Sequence, residues 1–190
     1  SFLAAQQRAD RLGFDSIWTW DHLYPIVGSD RGPIFECYTA MAAVASTTAR
    51  ASIGLLVGAN TFRNPALVAK MVTTLDLVSG GRAYLGIGAA WNEEEHRGLG
   101  IAYPPIGERF ERLEETLRIA EQMFAGDDSP FDGEHYRLAR PLNSPAPVSS
   151  PHARSEAKRR YLNATTTTPT TMSHKALGMP THTQGGEHPA

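Results

Sequence analysis

Asp21 and His22 follow directly on the apolar stretch FDSIWTW at residues 14–20, so a strand-like run ends in a carboxylate and an imidazole. An unperturbed imidazole titrates near ~6.5, and a neighbouring carboxylate or partial burial tunes it to give or take a proton at neutral pH. The same pair has a plainer use, with Asp21 closing a turn while His22 packs on Trp20. The residues alone leave both readings open.

Two further clusters set polar groups beside small residues. In GANTFRN, residues 58–64, Gly58 and Ala59 leave room for a flat molecule on the backbone, and Asn60 and Thr61 offer an amide and a hydroxyl to its polar edge. Those two side chains also suit a loop that satisfies its own backbone. In GAAWNEEEH, residues 88–96, Gly88, Ala89 and Ala90 again permit close approach, and Trp91 supplies a broad apolar wall. Asn92 reads as a helix N-cap, with Glu95 three residues on as its reciprocal partner. GIGAAW puts Trp91 where a dinucleotide fingerprint requires a third Gly or Ala, so a Rossmann turn is not indicated. The His-Glu-x-x-His pattern of a zinc site does not occur and no metal is expected. A metal-dependent hydrolase using Asp21, His22 and residues 93–95 is the remaining reading of another class.

Elements able to bring these clusters together are legible on either side of them. Phe2, Ala5, Ala9 and Leu12 share one face of a helix that Gly13 ends, and FECYTAMAAVASTTAR reads as a second helix. A third takes Asn64 as cap, Pro65 in its first turn, Leu67, Met71, Leu75 and Val78 as its apolar face and Gly80 as its stop. A fourth sets Phe110, Leu113, Leu117, Ala120 and Phe124 on one side and pairs Glu114 with Arg118. Between them lie the strands FDSIWTW, ASIGLLVGA and RAYLGIGA, spaced by about 30–40 residues as parallel β/α units are. Strands apolar throughout, such as IGLLV, are expected where both faces of a sheet are covered. All three polar clusters then fall at C-terminal strand ends on one rim, where such folds build sites. An open doubly wound sheet and a closed barrel of eight units both fit.

The 190 residues, 41% of them hydrophobic, suffice for one core, and a net charge of −2 carries no signature of nucleic-acid or membrane binding. No apolar run is long enough for a bilayer. Cys37 is the only cysteine, so no intrachain disulfide forms and a cytoplasmic setting is expected. From Pro141 onward the chain holds 7 of its 13 prolines and 4 of its 7 histidines, without helix or strand periodicity. Residues 148–190 are therefore expected to be a low-complexity, disordered tail after a domain at residues 1–147. Its histidines lack the spacing that would preorganise a metal site.

LGFDSIWTWDHL, NTFRNPALVAKMVTTLDLVSGGRAYLGIGAAWNEEEH and PPIGERFERLEETLRIAEQMF resemble the bacterial luciferase-like monooxygenase family, most nearly its deazaflavin-dependent oxidoreductases, over residues 1–147. The resemblance implies a TIM-type (β/α)8 barrel and so prefers the barrel to the open sheet. It implies the deazaflavin coenzyme F-420 (F420), or alternatively FMN, at the C-terminal rim. Asp21 and His22 would lie by the ring system. Gly58, Ala59, Asn60 and Thr61 would back it, at a strand end where the family often has a non-proline cis peptide, and Ala89, Trp91 and Asn92 would border ring and substrate. The implied chemistry is hydride transfer between the deazaflavin and a small organic substrate, the protein supplying orientation and a proton from His22. A two-component FMN monooxygenase, or a non-catalytic remnant that pairs with another chain, are the alternatives. Sugar-phosphate and alcohol dehydrogenases of this branch carry a Trp shortly after the His and a Glu at the fourth strand's end. Ile26 and Trp91 stand in those neighbourhoods here, which argues against these two activities. After NSPAPV the family's Gly-rich phosphate-binding turn and later β/α units have no counterpart, as an altered reading frame would produce, and its first strand would precede Ser1. The expected fold is a partial barrel lacking its first strand and C-terminal half, whose open strand edges invite homo-oligomer formation.

Overall fold

The structure is a computed structural model and describes residues 1–149, so the expected disordered tail lies, from residue 150 on, outside the described residues. Helix α1 (Phe2–Arg11) begins at Ser1, whose hydroxyl accepts the Ala4 N–H, and gives way through Gly13, at φ 87°, to strand β1 (Ser16–Thr19). Asp10 at the end of α1 is buried and accepts the backbone N–H groups of Ala49, Arg50 and Ala51 at 2.8, 3.0 and 2.7 Å. One carboxylate thus ties α1 to the entry of strand β2 (Ser52–Leu55). Between them, α2 (Cys37–Thr47) is capped by the Glu36 side chain, which accepts from Tyr38 and Thr39. Arg82 donates to the carbonyls of Ala45 in its last turn, of its cap residue Thr48 and of Ala51 ahead of β2.

The third helix has the expected grammar: α3 (Pro65–Ser79) is capped by Asn64, starts with proline and ends at Gly80 in the left-handed region. Strands β3 (Gly58–Ala59) and β5 (Ile87–Gly88) extend β2 and β4 (Ala83–Tyr84) after short interruptions. The sheet order is β1-β2-β4, all parallel, with Ile17 opposite Ile53 and Ile53 opposite Ala83. β3 pairs with β5, also in parallel. A non-proline cis peptide joins Leu56 to Val57, just ahead of the Gly58 to Thr61 segment where one was expected. Gly86 lets the two extended strands close up, because a Cβ there would run into the Leu55 carbonyl oxygen.

Ile17, Ile53, Leu55, Ala83 and Ile87 join Met41, Val44, Val72 and Leu75 of α2 and α3 in one buried core. Helix α5 (Ile106–Phe124) adds Leu113, Ile119 and Met123. The opposite strand face differs from expectation. Trp18 is 39% exposed, lies over Gly54 and stacks at 5.6 Å on Tyr84, so among the described residues one face of the sheet is covered and an aromatic rung stays open on the other. Among the described residues β1 to β5 form a parallel α/β arrangement that does not close into a barrel.

Helix α5 and the chain beyond it depart from expectation in three details. Glu114 and Arg118 do not pair; Arg112 pairs with Glu108 one turn earlier, and Arg118 lies over the Phe131 ring at 5.2 Å, a stacked partner the helix pattern could not reveal. That ring belongs to a hairpin of β6 (Phe131–Asp132) and β7 (Arg137–Leu138), held by Glu115, which accepts the N–H groups of Glu134, His135 and Tyr136. Ser149, assigned by composition to the tail, donates its N–H and hydroxyl to the buried Asp76 of α3 at 2.9 and 2.8 Å.

Candidate active site

The ends of all three strand positions meet around a cavity of about 430 Å³. Trp20, Asp21 and His22 reach it from β1, Leu56 to Ala59 from the second strand, and Gly88 to Trp91 from the third. Ile106, Phe110 and Leu113 of α5 close the side, which explains why Phe110 is half exposed although it sits on the helix's apolar face. Among these groups Ala90 adopts φ 61°, a left-handed conformation uncommon for alanine. Arg109 grips its carbonyl at 2.7 Å, and Tyr103 donates to the next one, on Trp91, at 2.9 Å.

Asp21 is 4% exposed and fully engaged. Its two oxygens accept a fork from Arg63 at 2.6 and 3.1 Å, the Ala59 N–H at 2.9 Å and the Cys37 thiol at 3.0 Å. Arg63 also bonds Glu36 and lies 4.9 Å over the Tyr38 ring. Burial works against the guanidinium charge, but the bonds and charge of Asp21 outweigh it and hold Arg63 above its ordinary range. Burial likewise pushes Glu36 upward, yet hydrogen bonds from Thr39 and Arg63 prevail and bring its carboxyl down to about 2. Burial, then the Asp21 charge, pushes the Cys37 thiol up, so it is no nucleophile. Asp21, Glu36 and Cys37 lie close enough to share a metal ion, but the Arg63 guanidinium already touches all three.

His22 has a different partner from the one its neighbour suggested. Its Nδ1 lies 2.9 Å from Oε1 of Glu95, which sits in α4 (Glu93–Leu99) and is 1% exposed. The other oxygen of Glu95 accepts the N–H groups of Leu23 and Tyr24. Trp91 meets the imidazole edge-on at 5.2 Å and Trp20 at 6.3 Å. The expected capping box is therefore absent: Asn92 does cap α4, accepting from Glu94, but Glu95 turns away to hold residues 22–24. Two backbone N–H groups and the His22 ring on the segment after β1 outcompete one N–H at the helix start. A metal site built from Asp21, His22 and residues 93–95 does not form, since Asp21 faces Arg63 and only Glu95 reaches His22.

Asn60, Thr61 and Asn92 are not on the cavity wall. Asn60 is 2% exposed and donates to the Arg109 carbonyl at 3.0 Å, while the Thr61 hydroxyl meets Nε2 of His96 at 2.7 Å. Both face a smaller recess of about 250 Å³ together with Arg63 and Arg112. The Asn60 amide nitrogen and the Thr61 hydroxyl thus bond the protein's own interior, while Oδ1 of Asn60 is buried without a hydrogen-bond partner among the described residues. His96 is itself sealed in, with Nδ1 on the Asn92 carbonyl at 2.6 Å and the Phe62 and Tyr103 rings at 4.7 and 4.8 Å. Consecutive residues of α4, Glu95 and His96, thus brace the ends of the first and second strands. Asp21, His22, Gly58, Ala59, Ala89 and Trp91 are the expected site residues that the cavity does bring together.

A parallel β/α sheet with an apolar cavity and an imidazole at the C-terminal strand ends belongs to the class of β/α proteins that place their sites on this rim. Residues 1–187 match the family model described as luciferase-like monooxygenase, and the chain belongs to that family. It is 36% identical over 132 residues to an F420-dependent glucose-6-phosphate dehydrogenase of Amycolatopsis mediterranei, an alignment covering 69% of this chain and 39% of that protein. The chain thus spans about two fifths, 39%, of the length of the curated relatives it matches. An F420-dependent secondary alcohol dehydrogenase in complex with an F420-acetone adduct superposes with a TM-score of 0.69 at 26% identity, covering 76% of this chain and 44% of the other. A monooxygenase from Streptomyces bottropensis gives 0.67 at 25% identity, with 79% and 44% covered. No helix among the described residues is long and apolar enough to cross a membrane.

Proposed function

We propose that this chain carries the proton-transfer side of an oxidoreductase site for F420, with FMN as the alternative, and a small organic substrate. One observation carries the reading: of the three titratable side chains on the cavity wall, Asp21 and Glu95 are committed to protein donors, whereas His22 has only Nδ1 engaged. The walls fit a flat ring system, since Trp20, Val57, Ala59, Ala89 and Trp91 are apolar and the polar groups are few. When bound, the deazaflavin supplies a hydride acceptor or donor. Gly58 and Ala59 would lie beneath the ring, with Ala89 and Trp91 at its border. His22 would take the proton from a substrate heteroatom, or return it in the reverse direction. Asp21 acts at one remove, holding the Ala59 backbone and the end of β1 in place.

Relatives named for F420 support the deazaflavin, and FMN keeps its place because the family also bears the monooxygenase name. The named substrates of those proteins belong to them; the substrate here is a small organic molecule of unassigned type. Titration of the purified chain with oxidised and reduced F420, and separately with FMN, tests the reading by absorbance and by quenching of Trp20 and Trp91. A saturable change with F420 is expected and should persist in His22→Asn. Saturation by FMN alone moves the assignment to the flavin. No saturable change with either would leave a non-catalytic remnant.

A further inference from the structure

We propose that Glu95 is a positioning residue that decides which nitrogen of His22 carries the proton, and thereby makes the other nitrogen a proton acceptor. The inference rests on the proposed role of His22 as the proton-transfer group. One oxygen of Glu95 receives Leu23 N–H at 2.8 Å and Tyr24 N–H at 3.2 Å, the other lies 2.9 Å from His22 Nδ1, and an ionised carboxylate there can only accept. Nδ1 therefore bears the hydrogen, and in the neutral ring the lone pair is on Nε2. Free neutral imidazole side chains favour the reverse arrangement, in which Nε2 is a donor and cannot accept a proton. Among the described residues Glu95 is the one hydrogen-bond partner of the ring, which the Trp91 and Trp20 rings meet edge-on.

In the transfer, the bond between a substrate heteroatom and its hydrogen breaks, the proton goes to Nε2, and the resulting imidazolium keeps its Nδ1–H on the Glu95 carboxylate. The same contact fixes the ring's rotation, since a half-turn about Cβ–Cγ would put the carbon Cδ2 in place of Nδ1 and lose the bond to Glu95. α4 has the position for this: Asn92 caps it close to the third strand's end, and one turn later Glu95 reaches back to the first strand's.

The test is the tautomer of His22 in the cofactor-free full chain, read by long-range ¹H–¹⁵N correlation with ¹⁵N-labelled histidine, the signal assigned with His22→Asn. Titration with F420 and FMN is independent of it, so failure there would remove the proposed function without touching the tautomer result. In the wild type at a pH where the ring is neutral, Nδ1–H should predominate by roughly tenfold or more, the scale of a hydrogen bond to a charged group. In Glu95→Ala the ratio should invert towards Nε2–H. If the variant does not fold, the wild-type spectrum decides alone. Predominant Nε2–H in the wild type, or an unchanged ratio in a folded Glu95→Ala, overturns the proposal.

Discussion

Replacing Arg63 by methionine removes the counter-charge of the Asp21 carboxylate while keeping most of the side-chain volume. The Asp21 side chain is 0% exposed and that of Arg63 11%, so the pair is not a surface contact that solvent can replace. Breaking a buried pair from one side costs about 3–5 kcal/mol, because the remaining ion is left without compensation. Asp21 would keep the Ala59 N–H and the Cys37 thiol, which places the expected loss near the lower bound, about 3 kcal/mol. With a urea dependence of roughly 2 kcal/mol per molar, the unfolding midpoint at neutral pH should fall by about 1.5 M. Tryptophan fluorescence follows the transition. Adding Asp21→Asn removes the stranded charge, so the double variant should be more stable than Arg63→Met alone. A midpoint shift under roughly 0.5 M, the scale of an exposed ion pair, would refute this reasoning, as would a double variant less stable than either single one.

Two further outcomes concern the scaffold. Backbone N–H groups of Ala49 and Ala51 hold Asp10 below its ordinary 3.8 against the cost of burial. A carboxyl depressed on folding contributes fully above the unfolded value and loses that contribution as pH falls through the folded one. Unfolding midpoints measured between pH 6 and 2.5 should therefore drop below about pH 4, and less steeply in Asp10→Asn; equal slopes would show that the three amide bonds do not discriminate the charge. Gly86→Ala drives a Cβ into the Leu55 carbonyl oxygen, a backbone atom with no rotamer to escape by, and should cost about 3 kcal/mol or prevent folding. Gly107, in the first turn of α5 with open space around it, is the control, and its alanine variant should unfold within about 1 kcal/mol of the wild type.

Much of this scaffold is written locally. Asn64, Pro65 and Gly80 delimit α3 because capping, the lost N–H of proline and a left-handed stop are short-range events. The parallel rhythm of β1, β2 and β4 comes from apolar runs at β/α spacing. The features that a sequence pattern does not show are non-local. The hairpin of β6 and β7 has two residues in each strand, too few for an alternation pattern, though the Asp132-Gly133 turn between FD and YRL is a usable sign. Glu115, which secures it, looks like another solvent-facing position on α5 because its partners come from a segment beyond the helix. The open face of the sheet is hidden for a related reason: Trp18 and Tyr84 are apolar whether a neighbour covers them or not.

The site shows the same division more sharply. Adjacency in sequence makes Asp21 the natural partner of His22, yet successive residues leaving a strand point to opposite sides. Asp21 turns inward, where Arg63, Cys37 and the Ala59 N–H await a charge, and His22 turns to Glu95. Polarity at a strand end is therefore an ambiguous sign, since the same residue types that bind a ligand also bond groups of the protein's own interior. Asn60 and Thr61 illustrate the second use, and only long-range contacts, Arg109 for one and His96 for the other, reveal it. The capping explanation for Glu95 is locally complete, which is why it conceals the contact across 73 residues that most shapes the site. Buried acids near a rim carry chemistry according to how many donors they already hold. By that measure Asp21 and Glu95 are already held by the protein, and His22 is the group we propose to react.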